Sequence, residues 1–202
     1  MVLLVPDDMP ADCASTLEGN VEEMRNLYKD WDSRIPKLLA LCESVYKWRL
    51  CIRRGMDHWS HPLGSFTLLG DAVHATLPYL ASGAGMSLED GAVLGECLSR
   101  MASKSPMHKR HALKVYERCR KERTEMVVER GNLQQYLYHL HDGPEQEERD
   151  RRMREVPTRR GEALAWRDPE LAPKLLGYDH LKDVDENWNL EDAQGAVVES
   201  RL

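Results

Sequence analysis

The sequence predicts an α/β protein, α+β within these 202 residues, with a few short strands followed by long helices toward the C-terminus. Three observations predict it. Short apolar runs at 2–5 (VLLV), 44–52 (SVYKWRLCI) and 65–70 (SFTLLG) have strand length and turn-forming neighbours. Apolar residues recur at helical spacing over 83–103 and 107–139. Between the two patterns, LLGDAVHATLPYLASGAGMSLEDG (68–91) holds four of the 13 glycines and leads from a strand end through a Pro-containing loop into a helix start.

Taken in order, 2–5 reads as a buried strand, 6–12 as a turn-rich loop and 13–20 as irregular. Val21, Met24, Leu27 and Tyr28 predict a short amphipathic helix. A second helix is predicted over 33–42, capped by Asp32 or Ser33, with Pro36 in its first turn. Alternation makes 44–52 a strand, with Val45, Trp48 or Tyr46, and Leu50 or Ile52 competing for the buried face. A Gly-containing loop over 53–64 leads to the apolar strand 65–70.

The next helix begins near Ser82 or Gly83 and runs to about 103, its apolar Met86, Leu88, Ala92, Val93, Cys97, Leu98 and Met101 read as one buried face. After the break at SKSP a long helix is predicted over 107–139, with Leu113, Tyr116, Val127, Leu133, Tyr136 and Leu137 near one face. Residues 142–160 are almost all polar or charged and read as a solvated helix or a mobile segment. Trp166, Tyr178 and Trp188 stand among acidic residues, which predicts an arm docked on the surface rather than a second core.

A 42% hydrophobic and 31% charged composition is that of an ordinary soluble protein, and no apolar run approaches the roughly 20 residues that span a bilayer. The start, MVLLVPDDMP, lacks the basic flank of a signal peptide. Five cysteines without CxxC or metal-ligand spacing imply reduced thiols and a cytoplasmic location. A net charge of −6 offers no reason to expect nucleic acid.

The segment 68–91 carries the chemistry. A helix N-terminus presents unpaired N–H groups and partial positive charge. The small residues Gly83, Ala84 and Gly85 let a ligand reach those groups, Asp71 can accept from a sugar-type hydroxyl, and Pro78 stiffens the loop between them. On spacing alone a second reading stands beside this one: Gly-Asp as a simple turn, and small residues for close helix packing.

LLGDAVHATLPYLASGAGMSLEDGAVLGECLS resembles the second flavin-binding motif, GDAAH…P…G…G…ED, of the FAD-dependent aromatic hydroxylases, the salicylate hydroxylase-like flavoprotein monooxygenases. WSHPLGSFTLLGD with Trp59, YERCRKERT and YHLHDGPEQEERD extend the resemblance from residue 1 to about 180, the last resembling the fungal branch. The resemblance implies that Asp71 contacts the ribityl chain of FAD. It implies that Pro78 lines the flavin ring, that the N–H groups of Gly83, Ala84 and Gly85 face its pyrimidine edge, and that Met86 follows in the same turn. It also implies NAD(P)H as reductant, O₂, an aromatic or related small-molecule substrate, and no catalytic side chain or metal ligand among these residues.

Departures accompany it. RRGMDHW keeps Arg53 but has Arg54 and Gly55 where relatives have Asp and Pro, and Val73 replaces a common Ala. The family begins with a Rossmann βαβ unit carrying GxGxxG, and no such motif occurs in these residues. The fold expected is therefore a partial FAD-binding fold without that unit. Residues 1–64 are a remnant of the substrate-binding domain and the return to the FAD domain, 65–140 the C-terminal part of that domain, and 141–202 a charged, partly irregular arm. A truncated C-terminal half of a monooxygenase is expected to retain flavin weakly or not at all. The alternative is a non-catalytic remnant or one chain of a split enzyme, acting as an interaction module with an N-terminal partner chain or as a homo-oligomer.

Other residues read as structural. His74 is expected to bond backbone rather than act as a base. His139 and His141 mark a helix end. One of Glu89 and Asp90 tethers its helix to neighbouring backbone, since adjacent helical residues face different directions. Trp48 and Trp59 are expected in the core, and the basic run 118–123 on a solvated face.

Overall fold

The computed structural model describes residues 1–155 and 165–199, with side chains described as far as 189. It divides into two compact units, Met1–Cys51 and Ile52–Leu202.

In the first unit, β1 (Thr16–Glu18) pairs antiparallel with β2 (Tyr46–Trp48), Leu17 opposite Lys47. Helices α1 (Val21–Leu27) and α2 (Arg34–Leu39) complete it. Met24, Tyr28 and Leu39 form its core. Asn20 caps α1, its Oδ1 accepting from the N–H groups of Glu22 and Glu23 at 2.8 and 3.0 Å. Arg25 closes the far end of α2, donating to the carbonyls of Leu39, Ala40 and Cys42, groups with no partner inside the helix. Asn20→Ala is expected to cost about 1 kcal/mol, the usual value of a lost N-cap. Urea unfolding followed by far-UV circular dichroism checks it, and an unchanged midpoint would show that the cap carries no weight.

Three expectations change in this unit. Residues 2–5 form no strand; Val2 and Val5 are exposed and only Leu3 reaches the core, because no strand among the described residues lies beside them to pair their backbone. The stretch 13–20, read as irregular, contains β1. Alternation does hold across 45–49, but in the opposite phase for the aromatics. Lys47 turns inward, its Nζ between Asp8 and Glu23 at 2.8 and 2.9 Å, and Trp48 is 70% exposed rather than in the core.

In the second unit the order is α3 (Asp71–His74), a 3-10 turn (Pro78–Leu80), α4 (Gly83–Ser99), α5 (Pro106–Tyr138), α6 (Pro144–Arg154), a second 3-10 turn (Ala165–Arg167), α7 (Leu171–Leu176) and α8 (His180–Glu199). The long helix α5 is the axis, packed by α4, α8 and the 78–80 turn. Its start is marked by Ser105, which accepts from the His108 N–H, and by Pro106 in the first turn. Along it run two apolar clusters. Trp59, Val73, Val93, Cys97, Val115 and Tyr116 belong to the first, and Leu80, Met86 and Val127 to the second. Helix α6 buries none of its side chains, as the charge-dense 142–160 stretch implies; residues 156–164 of that stretch lie outside the described residues. No helix among the described residues is long and apolar enough to cross a membrane.

Three expectations change here. Of the residues read on the apolar faces of α4 and α5, Leu88, Leu98, Leu133 and Tyr136 are exposed, because each helix turns only a narrow stripe toward its neighbours. The 65–70 run is not a strand: a single antiparallel bridge joins Ser60 and Thr67, and Phe66 and Leu69 are exposed. A strand exists only with a neighbour, and residues 58–61 offer too short a one. The segment read as a surface-docked arm is part of the core. Val184 of α8 is fully buried beside Val115 and Cys119, while Ala165, Leu171 and Leu175 complete the second cluster. Val184 and Trp188 are four residues apart and so share one helical face, with Trp188 edge-on to His111 at 4.5 Å.

Candidate functional site

The site begins where the chain leaves Leu68, whose carbonyl accepts from the Tyr116 hydroxyl at 3.0 Å. Gly70 then adopts φ 60°, ψ −146°, a region essentially restricted to glycine. A Cβ there would lie 2.8 Å from Ser87 Oγ. The Gly70 carbonyl accepts from the N–H groups of Val73 and His74, both at 3.0 Å, which starts α3. This turn delivers Asp71 to the surface as the first residue of α3. Arg53 donates to the Ala72 carbonyl at 2.9 Å and holds α3 from outside.

Pro78 is exposed and opens the 3-10 turn, which closes on Ala81 in the left-handed region at φ 48°. Ser82, at the N-cap of α4, makes no cap bond; its hydroxyl turns back to the Leu80 carbonyl at 2.8 Å. The first turn of α4, Gly83, Ala84 and Gly85, therefore presents its backbone donors without a side-chain cap. Ala84 and Gly85 are exposed, Gly83 is half-buried, and a Cβ on Gly85 would meet nothing within 4 Å. Met86 differs: its side chain is 1% exposed, packed with Leu80 and Val127 under that turn.

Beneath both segments lies a buried charge network. Asp90 is wholly buried. It accepts from the Gly70 N–H at 2.8 Å, from His74 Nε2 at 2.6 Å and from Arg120 Nε at 2.8 Å. Arg120, also wholly buried, reaches Glu89 at 2.7 Å and the Met86 carbonyl at 3.3 Å. Arg123 forms two 2.8 Å bonds to Glu89. Burial alone would raise the Asp90 carboxyl, but the bonds from His74, Arg120 and the Gly70 N–H outweigh it and hold the group below its ordinary 3.8. Glu89 is likewise pushed up by burial and brought below its ordinary 4.5 by Arg123 and Arg120.

Asp71, Pro78 and Gly83–Gly85 are thus accessible, and Met86 is a packing residue of the same turn. Asp90 provides the tether to backbone expected of the Glu89–Asp90 pair. His74 bonds the Asp90 carboxylate rather than backbone. The basic run is not wholly solvated, because Arg120 and most of Arg123 are inside. Sequence reading missed Arg120 although a signal existed: Tyr116, Arg120, Thr124 and Val127 fall on one helical stripe, and a charged residue on an apolar stripe needs a buried partner. Trp59 is in the core as expected, 5.8 Å edge-on from Tyr116.

Similarity to known proteins points to a class, that of the FAD-dependent monooxygenases. No protein-family profile matches the chain. It is 40% identical over 188 residues to the FAD-dependent monooxygenase OpS4 of Beauveria bassiana (strain ARSEF 2860), covering 92% of this chain and 43% of that protein. It is 36% identical over 150 residues to the 3-amino-4-hydroxybenzoate 2-monooxygenase of Streptomyces cremeus, covering 73% and 36%. A structure of a salicylate hydroxylase substrate complex superposes with a TM-score of 0.70 at 22% identity, covering 90% of this chain and 40% of that one. The chain is homologous to the C-terminal part of FAD-dependent monooxygenases, and its fold is that of the corresponding part of a salicylate hydroxylase. It spans less than half the length of these relatives.

Proposed function

We propose that this chain supplies the ribityl- and ring-contacting part of the FAD site of a monooxygenase that hydroxylates an aromatic or related small molecule with NAD(P)H and O₂. The observation that carries the proposal is the uncapped, open first turn of α4, a helix whose buried Asp90 carboxylate also accepts from the Gly70 N–H beside Asp71. Flavin, when bound, supplies the redox and oxygen chemistry. The chain's own residues bind and orient it. The Gly83, Ala84 and Gly85 N–H groups, at the positive end of α4, suit an electron-rich carbonyl edge or a developing negative charge. The Asp71 carboxylate accepts from a ribityl hydroxyl, Pro78 limits the motion of the loop, and Met86 is the packed base of the turn.

The same proposal takes residues 1–64 as the substrate-domain remnant and return segment, 65–140 as the C-terminal part of the FAD domain and 141–202 as a charged extension of it whose Ala165, Leu171, Leu175 and Val184 pack into its core.

The test is FAD titrated into the ¹⁵N-labelled chain. Weak, saturable shifts of the Gly83–Gly85 amides are expected. Asp71→Ala is expected to weaken binding about tenfold or more, the value of a hydrogen bond to a charged group. Saturable binding whose shifts miss that turn, or no binding at millimolar FAD, would overturn the proposal.

A further inference from the structure

We propose that Tyr178, in the segment joining α7 to α8, is a positioning residue for the Gly70–Asp71 turn and the first turn of α4, acting through Arg120. Its importance to flavin rests on the function proposed above; the coupling itself does not. Tyr178 is the only part of the C-terminal region that meets two cations of α5 at once among the described contacts. The Arg120 guanidinium carbon lies 4.9 Å from the centre of its ring and that of Arg123 4.3 Å. Its hydroxyl donates to Asp183 at 2.7 Å, which fixes the ring against the start of α8.

Arg120 is where that contact becomes geometry. From a single buried guanidinium it holds Asp90, which binds the Gly70 N–H, and the carbonyl of Met86, whose own N–H closes the first turn of α4 on the Ser82 carbonyl. The distance between the Asp71 turn and the Gly83–Gly85 donors therefore depends on where Arg120 rests. Asp90, Glu89 and Met86 constrain it on the α4 side, and the ring of Tyr178 limits it on the other. A cation enclosed by an aromatic face in a dry site is held far more strongly than one at the surface. Arg123, bonded to Glu89 and to the carbonyl of Leu175, ties the same ring to α7 and α4.

The experiment is amide exchange on the full chain, followed residue by residue, in the parent, Y178F and Y178L. Y178L removes the aromatic face but keeps an apolar side chain, and Y178M replaces it if Y178L does not fold. Exchange of the Gly70 amide is expected to rise about five- to tenfold, the scale of a desolvated cation–π contact, with mid-α5 amides unchanged. Y178F, which keeps the face, is expected to restore protection close to the parent's. Gly70 protection unaffected by Y178L or Y178M, or a uniform rise across α4 and α5, would overturn the proposal. FAD titration of the same proteins is the second readout. If the parent binds no FAD, the flavin assignment fails while the exchange result still decides the coupling.

Discussion

Arg120→Met is expected to lower the stability of the chain by about 3–5 kcal/mol, the cost of removing one partner from a buried ion cluster. In a chain of this size that corresponds to a fall in melting temperature of roughly 10 °C. The methionine fills most of the arginine's volume, so the cost is not a cavity. It arises because Asp90, fully buried, loses its cation while retaining only the donors from Gly70 and His74. Glu89 keeps Arg123 and so suffers less. The pH dependence tests the cause. Asp90 and Glu89 both titrate below their ordinary values in the folded chain. Groups depressed in this way add stability above their unfolded pKa values, and that stability is lost as pH falls through the folded ones. The parent should therefore weaken below about pH 4, the range of unfolded carboxylates. The gap between parent and variant should be widest near neutrality and narrow in acid, since a protonated Asp90 no longer needs its cation. Urea unfolding at pH 7 and pH 3.5 measures both, and an equal gap at the two values would mean that packing, not charge, explains the loss.

Gly70→Ala is expected to cost about 1–3 kcal/mol in backbone strain alone, because its φ and ψ lie where only glycine is comfortable. A second effect adds to it. The new methyl would lie 2.8 Å from Ser87 Oγ, which now donates to the Gly83 carbonyl at 3.1 Å. Relieving the clash disturbs the first turn of α4 as well as the start of α3. Ser87→Ala removes the clashing oxygen, so the double variant should recover part of the loss and leave the strain. If the double variant is no more stable than G70A, the strain accounts for the whole effect. If G70A is as stable as the parent, the turn does not require glycine.

Much of this architecture is legible in the sequence, and the reason differs by element. Helices α4 and α5 could be bounded closely because a helix satisfies its backbone within itself, and Gly83, Ser105 and Pro106 mark starts that local geometry requires. The 65–70 run was misread because its apolar content resembles a strand, but only a neighbour can make one, and Ser60 with Thr67 is a single bridge. The 165–189 region was misread because its buried residues are sparse among charges; Val184 and Trp188 reveal their face only once α8 is laid on α5. Within the candidate site, the exposure of Asp71, Pro78, Ala84 and Gly85 agrees with a local reading of small and polar residues around a helix start, because such residues need no distant partner. The network beneath them was found only in part, through the Glu89–Asp90 tether.

The sequence by itself determined the local features of this protein: a Gly-Asp turn at 70–71, a proline in the loop, and a helix whose first residues are too small to cover their own N–H groups. Only the tertiary structure decided what fixes those features in relation to one another. Asp90 is twenty residues from Gly70 along the chain and thirty from Arg120, and Tyr178 is farther still. A charge is buried only if such distant partners converge on it, since the cost of desolvation is recovered from contacts no local pattern encodes.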